Sequence, residues 1–390
     1  MKSRLILLGL CLLLGAVQHG AAQERGTGDL ALVVERASGS LQLLDTSART
    51  SLGRIEGLGD LSHASLVYSR DQRHAFVFGR DGGLSKVDLL SRRVVARVQQ
   101  AGNSIGGAIS QDGRWVAVAN YQPGGVRVFS SRDLSLRADI PATYAEGQRA
   151  KVVGIADVPG VGFAYSLFEA GEIWLTDLSD PQAPRTRRFK AGDRPYDGLV
   201  SPDGRWYVAG LFGEPGVAVL DLWHPERGVR KVLQRHVPDD PQRPVYKMPH
   251  LRGWAMAGDY AFLPAIGRHE LVVLRVSDWS EVSRIPLAGQ PVFAVVRPDQ
   301  RQVWVNFALP DNDRVQVIDV DSLKVIDSLR PGKAVLHLEF SPRGEQLWLS
   351  ARDDNRVLVY DSYRRTLLGS IEARAPSGIF MTGRAGRIGL

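Results

Sequence analysis

The segment SPDGRWYVAGLFGEPGVAVLDL, Ser201 to Leu222, strings together a polar turn, an alternating run, a Gly/Pro turn and a second alternating run closing on Asp221. Apolar residues at every second position mark a half-buried strand, and two such runs around a glycine-rich turn mark a hairpin. The same text recurs as SRDQRHAFVFGRDGGLSKVDL from Ser69, SQDGRWVAVANYQPGGVRVF from Ser110, RPDQRQVWVNFALPDNDRVQVIDV from Arg297 and SPRGEQLWLSARDDNRVLVYD from Ser341. Weaker copies begin at Leu30, Ala156 and Met256. Their closing strands end near Asp45, Asp88, Phe129, Asp177, Asp221, Val276, Asp319 and Asp361, a period of roughly 44 residues, which is that of a four-stranded propeller blade.

Eight such units use up nearly all of a 390-residue chain and leave no room for a second domain. The expectation is therefore an all-β protein, one eight-bladed β-propeller over residues 23–390. No segment keeps helical spacing over several turns. The period is broken by ADIPATYAEGQRAK at 138–151 and QRHVPDDPQRPVYKMPHLRG at 234–253, both read as Pro-rich loops. Trp115, Trp206 and Trp304 recur at one repeat position and read as blade core.

The formal charge of +7 comes from single arginines beside aspartates, without the basic and aromatic interleaving of a nucleic-acid surface; nucleic acid is not an expected partner. A mildly basic surface suits a small molecule carrying several carboxylates. At the N-terminus Lys2 and Arg4, the apolar run Leu5 to Val17 and Gly20-Ala21-Ala22 form a secretory signal with cleavage after Ala22, so a periplasmic protein is expected. Cys11 is the single cysteine and lies within that signal, where the Leu8–Cys11 run is a poor lipobox. The exported domain thus has no disulfide, no thiolate nucleophile and no CxxCH haem attachment.

In a propeller the innermost strands line a central channel, and their first residues ring one mouth. Counting back from each repeat turn puts His63, Ser104 with Gly106, Tyr196 with Asp197, Phe293 and His337 on that ring, and the irregular blade adds His250. Each of these histidines can be a ligand, an acid/base group or a hydrogen-bonded polar plug. His74 falls in an outer turn and reads as surface. Asp157, at a strand end beside the mouth, is a further candidate, with turn capping as its other reading. No GxSxG, HExxH, Walker or Rossmann signature stands in a fitting context.

These residues carry a family resemblance. DLSHASLVYSRDQRHAFVFGRDGGLSKVDL (60–89), ANYQPGGVRVF (119–129), RPYDGLVSPDGRWYVAG (194–210), KMPHLRGW (247–254) and APSGIFMTG (375–383) resemble the haem d1 domain of cytochrome cd1 nitrite reductase. The resemblance implies that His63 ligates the tetrapyrrole iron and that Arg80, joined by Arg252, forks onto its carboxylates. KMPHLRGW resembles the distal-histidine loop, which implies acid/base work for His250, with Tyr196, Asp197 or Asp157 assisting. Tyr196 stands where the reductases have a distal histidine. Tyr121, Asp197 and His337 would complete the pocket.

Without an attached c-type haem the chain cannot be a self-sufficient nitrite reductase. It is most similar to the branch of lone, exported d1-type propellers that serve haem d1 biosynthesis. The implied ligand is haem d1 or dihydro-haem d1, and the implied step is oxidation of a propionate to an acrylate. A non-catalytic carrier is the alternative, and a ligand-free protein-binding scaffold a third. The implied partners are the haem d1 precursor, cytochrome cd1 nitrite reductase, other maturation proteins and a second copy in a homodimer.

Overall fold

The computed structural model describes residues 25–160, 162–234, 253–265, 267–387 and 389. They form eight four-stranded antiparallel sheets arranged as blades, the propeller that the repeat predicts. Each blade begins with an inner strand and runs outward. The inner strands of blades 2 to 8 are Ser65–Tyr68, Asn103–Ile109, Val152–Val158, Pro195–Val200, Ala255–Ala257, Pro291–Val296 and Val335–Phe340. Blade 1 is composite, because its inner strand is Pro376–Met381, paired with Leu30–Glu35 from the other end of the chain. Last strand and first blade thereby close the ring, which the repeat alone did not reveal.

All inner strands run the same way along the channel. Their starts, the hairpins between second and third strands and the links between blades share one face, here the upper mouth. Their ends share the lower mouth with the remaining turns.

The recurring polar letters are turn fasteners. The Ser69, Ser110, Ser201 and Ser341 hydroxyls each accept the backbone N–H five residues on, from His74, Trp115, Trp206 and Gln346, at 2.9–3.0 Å. The aspartates that end the third strands accept amides of the next turn: Ser179 to Asp177, Ser322 to Asp319, Tyr363 to Asp361, at 2.8–2.9 Å. Each repeat letter thus satisfies a donor that the hairpin leaves over.

Three expectations are corrected. The 138–151 insertion is not plain loop, since Thr143–Ala145 and Gln148–Arg149 pair as a short ribbon above the upper mouth. The tryptophans occupy two repeat positions. Trp115 and Trp206 open their strands half-buried, whereas Trp304 and Trp348 sit third in theirs, fully buried. His74 is not in a turn but heads a strand, 3.7 Å from Asp88 Oδ2.

Apolar residues gather between successive blades rather than in one centre, as in the cluster joining Val128 and Ala117 to Phe163, Tyr165 and Trp174. At the lower mouth the segment Thr382 to Gly389 runs across the ring. Arg384 is bidentate to Glu339 of blade 8 at 2.8 and 3.1 Å, and Arg70 of blade 2 donates to the Ala385 carbonyl at 2.6 Å. Gly389 N–H donates to Asp157 of blade 4 at 2.9 Å.

Candidate functional site

The upper mouth is shaped by bulges. Six of the eight inner strands slip register against a neighbour near their start, leaving Ile105, Gly154, Tyr196 with Asp197, Phe293, His337 and Ser377 with Gly378 at or inside the slips. A bulge leaves backbone groups unpaired and re-aims side chains. Buried side chains take up the leftovers: Phe293 N–H donates to Asn306 Oδ1 and His337 N–H to Ser350 Oγ, both at 3.0 Å, and Tyr207 hydroxyl donates to the Gly154 carbonyl at 2.7 Å. Gly154 is held at φ +58°, and a Cβ there would lie 2.2 Å from Gly198 N, so the inner strands of blades 4 and 5 meet backbone to backbone.

One backbone hydrogen bond recurs on this face: the residue after the second strand donates its N–H to the carbonyl just before the inner strand. It runs from Arg36 to Ala375, Phe168 to Lys151, Phe212 to Arg194, Ala308 to Gln290 and Arg352 to Ala334. On blade 2 the bond is displaced, from Arg80, two residues past its strand, to Asp60, five before the inner strand, but Arg80 follows Ser69 at the same offset as Phe212 follows Ser201 and Arg352 follows Ser341. These six residues are therefore equivalent positions on the rim. Arginine occupies it on blades 8, 1 and 2, and phenylalanine on blades 4 and 5.

The arginine arc carries positive charge with little compensation. Among the described residues no carboxylate lies within ion-pair distance of Arg36 or Arg80, and Arg352 pairs only with exposed Asp353, at 2.7 Å. Partial burial, then the like charge of Arg352, lowers the pKa of Arg36, with Asp60 opposing. Asp60 is itself held below the usual carboxylate range by the Ser62 hydroxyl and amide, with Arg80 and Arg36 adding to the effect. A basic arc left open in this way suits an acidic ligand.

Opposite the arginines lies an aromatic wall. Phe168, Tyr196 and Phe212 are in mutual ring contact at 5.8–6.1 Å. The Tyr196 hydroxyl is hydrogen-bonded to that of Tyr121, and the Arg80 guanidinium lies 5.9 Å from the Tyr121 ring. Burial, followed by the hydrogen bond and charge of Tyr121 and the charge of Asp197, raises the Tyr196 pKa far above its ordinary value. Burial also raises that of Tyr121. At neutral pH both phenols stay protonated, so Tyr196 is a donor rather than a resting base.

The sequence-predicted residues separate as follows. His63, exposed in the turn before the inner strand of blade 2, shares the upper mouth with Arg80, Tyr121, Tyr196, Asp197 and His337. His337 stacks on Phe380 at 5.8 Å and meets Phe293 edge-on at 6.0 Å, and its Nδ1 accepts the Ile379 N–H at 3.2 Å. That bond places the proton of neutral His337 on Nε2, a donor rather than an iron ligand. His250 and Arg252 lie outside the described residues.

Asp157 is a correction. It sits at the lower end of its strand, buried, paired with Arg70 at 3.4 Å, hydrogen-bonded to Gln111 and accepting from Gly389. The expectation put it at a strand end beside the mouth; it is near a strand end, but the lower one. It fastens the lower face, remote from the arginine arc.

Sequence reasoning missed Arg36, Arg352, Phe168 and Phe212. The signal was present in the aligned copies, where FGRDG, SARDD and VERAS put arginine at one repeat position; it shows only when the rim positions are compared with each other rather than searched for motifs.

Comparison with known proteins finds relatives over nearly the whole chain. The chain is 59% identical over 377 residues to a protein named NirF from Pseudomonas aeruginosa, covering 95% of this chain and 96% of that one. It is 29% identical to the dihydro-heme d1 dehydrogenase of the same organism, over 91% of this chain and 71% of that one. The solved structure of dihydro-heme d1 dehydrogenase NirN in complex with DHE superposes with a TM-score of 0.80 at 28% identity, over 93% of this chain and 77% of that one. The model of the Cytochrome D1 heme domain matches residues 25–385, and the chain belongs to that family.

Proposed function

We propose that this protein binds dihydro-haem d1, a late haem d1 precursor, at the upper mouth and takes part in its final tailoring, the dehydrogenation of a propionate to an acrylate. The reading is carried by the arginine arc of blades 8, 1 and 2 facing the aromatic wall of blades 4 and 5. A flat tetrapyrrole with a carboxylate edge and an apolar face has that division of character. The likeness to a dihydro-heme d1 dehydrogenase supports the reaction class.

His63, in a turn on the mouth, is the iron ligand in this reading; as neutral imidazole it offers one nitrogen to the metal. Arg80 and Arg36 take carboxylates, and the protonated Tyr121–Tyr196 pair donates a hydrogen bond to the substrate. Oxidising the saturated side chain removes two protons and two electrons. His250 takes one proton, the second is released to solvent, and both electrons pass to an external acceptor, because the chain carries no CxxCH. The export signal sets this work in the periplasm, beside cytochrome cd1 nitrite reductase and the other maturation proteins, with a homodimer as the assembly.

The test is a titration of the purified protein with dihydro-haem d1 followed over time in the presence of an oxidant. A Soret shift with conversion to the acrylate product, both lost in His63→Ala, is expected. No spectral change would overturn the reading. A carrier is the second reading: the same arginine arc and aromatic wall would hold the ligand without turnover. Binding without conversion would select the carrier.

A further inference from the structure

Lys151 has no part in the site as read so far. It precedes the inner strand of blade 4, on the same mouth as the arginines but on the aromatic side. Its Nζ lies 6.0 Å from the centroid of the Tyr121 ring and 5.5 Å from that of Phe168. The Arg80 guanidinium lies 5.9 Å from the same Tyr121 ring, so two cations flank one aromatic plate. The ammonium is 3.0 Å from Glu169 Oε1, and the Lys151 N–H donates to Glu169 Oε2 at 2.7 Å. Lys151 remains 46% exposed, a charge held over apolar faces and open to the mouth.

The eight-fold ring adds spacing to this. Successive blades are about 45° apart, so Arg352 on blade 8, Arg80 on blade 2 and Lys151 on blade 4 follow one another at about a quarter turn, with the first and last about half a turn apart. The four pyrrole units of a tetrapyrrole are also a quarter turn apart. Cations on alternate blades therefore match acidic side chains on successive pyrroles, where a cluster on one side would match only one edge.

We propose that Lys151 is a second carboxylate anchor, so that the mouth reads acidic groups on more than one edge of the macrocycle and selects tetrapyrroles with four carboxylates over those with two. Glu169 is the internal carboxylate that the ligand's own carboxylate displaces. This rests on the tetrapyrrole reading of the mouth and narrows its substrate class.

The experiment uses the full chain and two available probes, iron coproporphyrin III with four propionates and iron protoporphyrin IX with two, titrated at the Soret band. The unaltered protein is expected to bind the first about tenfold or more tightly than the second. Lys151→Met should cut that preference about tenfold while changing the affinity for the second probe less than about twofold; Lys151→Arg should retain it. Glu169→Gln should tighten binding of the four-carboxylate probe. If Lys151→Met weakens both probes equally or neither, the inference fails and the tetrapyrrole reading stands. If the unaltered protein binds neither probe, both fall.

Discussion

At the residue scale the mouth depends on hydroxyls and charges that are useful only in combination. Tyr121 and Tyr196 share one hydrogen bond between blades 3 and 5, with Arg80 at the Tyr121 ring. Removing either hydroxyl leaves the other without this partner, so Tyr121→Phe and Tyr196→Phe should each cost about 1 kcal/mol. The double variant should cost less than the sum, and a double-mutant cycle in urea is expected to return a coupling of about 1 kcal/mol. Additive losses would show that the pair is not coupled in solution. Single residues were legible in the sequence only where a residue type narrows the chemistry. His63 was reached from its position on the ring and Arg80 from the family resemblance, and both lie at the upper mouth, but Asp157 could not be placed, because an aspartate near a strand end serves a turn, a latch or a reaction equally well. Its neighbours Arg70, Gln111 and Gly389, which decide the matter, lie far away in the chain.

At the scale of the element the repeat was nearly transparent. Turn letters satisfy hairpin donors in every blade, so period and strand order could be read from them directly. The bulges could not be read, because an extra residue at the start of an inner strand leaves the alternation almost untouched while moving Phe293 or His337 out of the regular ladder. The turn aspartates make a pH prediction. Hydrogen bonds from Ser179 hold Asp177 below its ordinary pKa, those from Ser322 do the same for Asp319, and the Arg364 amide leads for Asp361. A carboxyl with a lower pKa folded than unfolded stabilises the fold above its unfolded pKa, about 4, and loses that contribution as pH falls through the folded value. Stability against urea should therefore be level from pH 7 to about 5 and fall steeply below about 4. Asp319→Asn keeps an acceptor in the turn but cannot titrate, so it should flatten part of that slope. An unchanged slope would show that this aspartate carries none of it.

At the scale of the whole molecule the ring is closed by the last strand. Pro376–Met381 covers the edge of Leu30–Glu35, and Ile379 and Met381 pack with Ala31, Val33 and Trp348. A chain ending at Ala375 would expose that edge and open the interface between blades 8 and 1. It should lose the single cooperative heat-absorption peak of the full chain and aggregate, whereas a retained sharp transition would mean that the closure is dispensable. The weak copy at Leu30 was visible in the sequence, but not its partner strand some 340 residues away, since nothing local records which edges will meet. The segment from Thr382 to Gly389, tied to blades 8, 2 and 4 beneath the bore, has a consequence for traffic. Those bonds brace three separate blades from below, so a ligand seated at the upper mouth, as proposed, would enter and leave on the side away from the brace, and its arrival need not disturb the fastening that holds the blades in register.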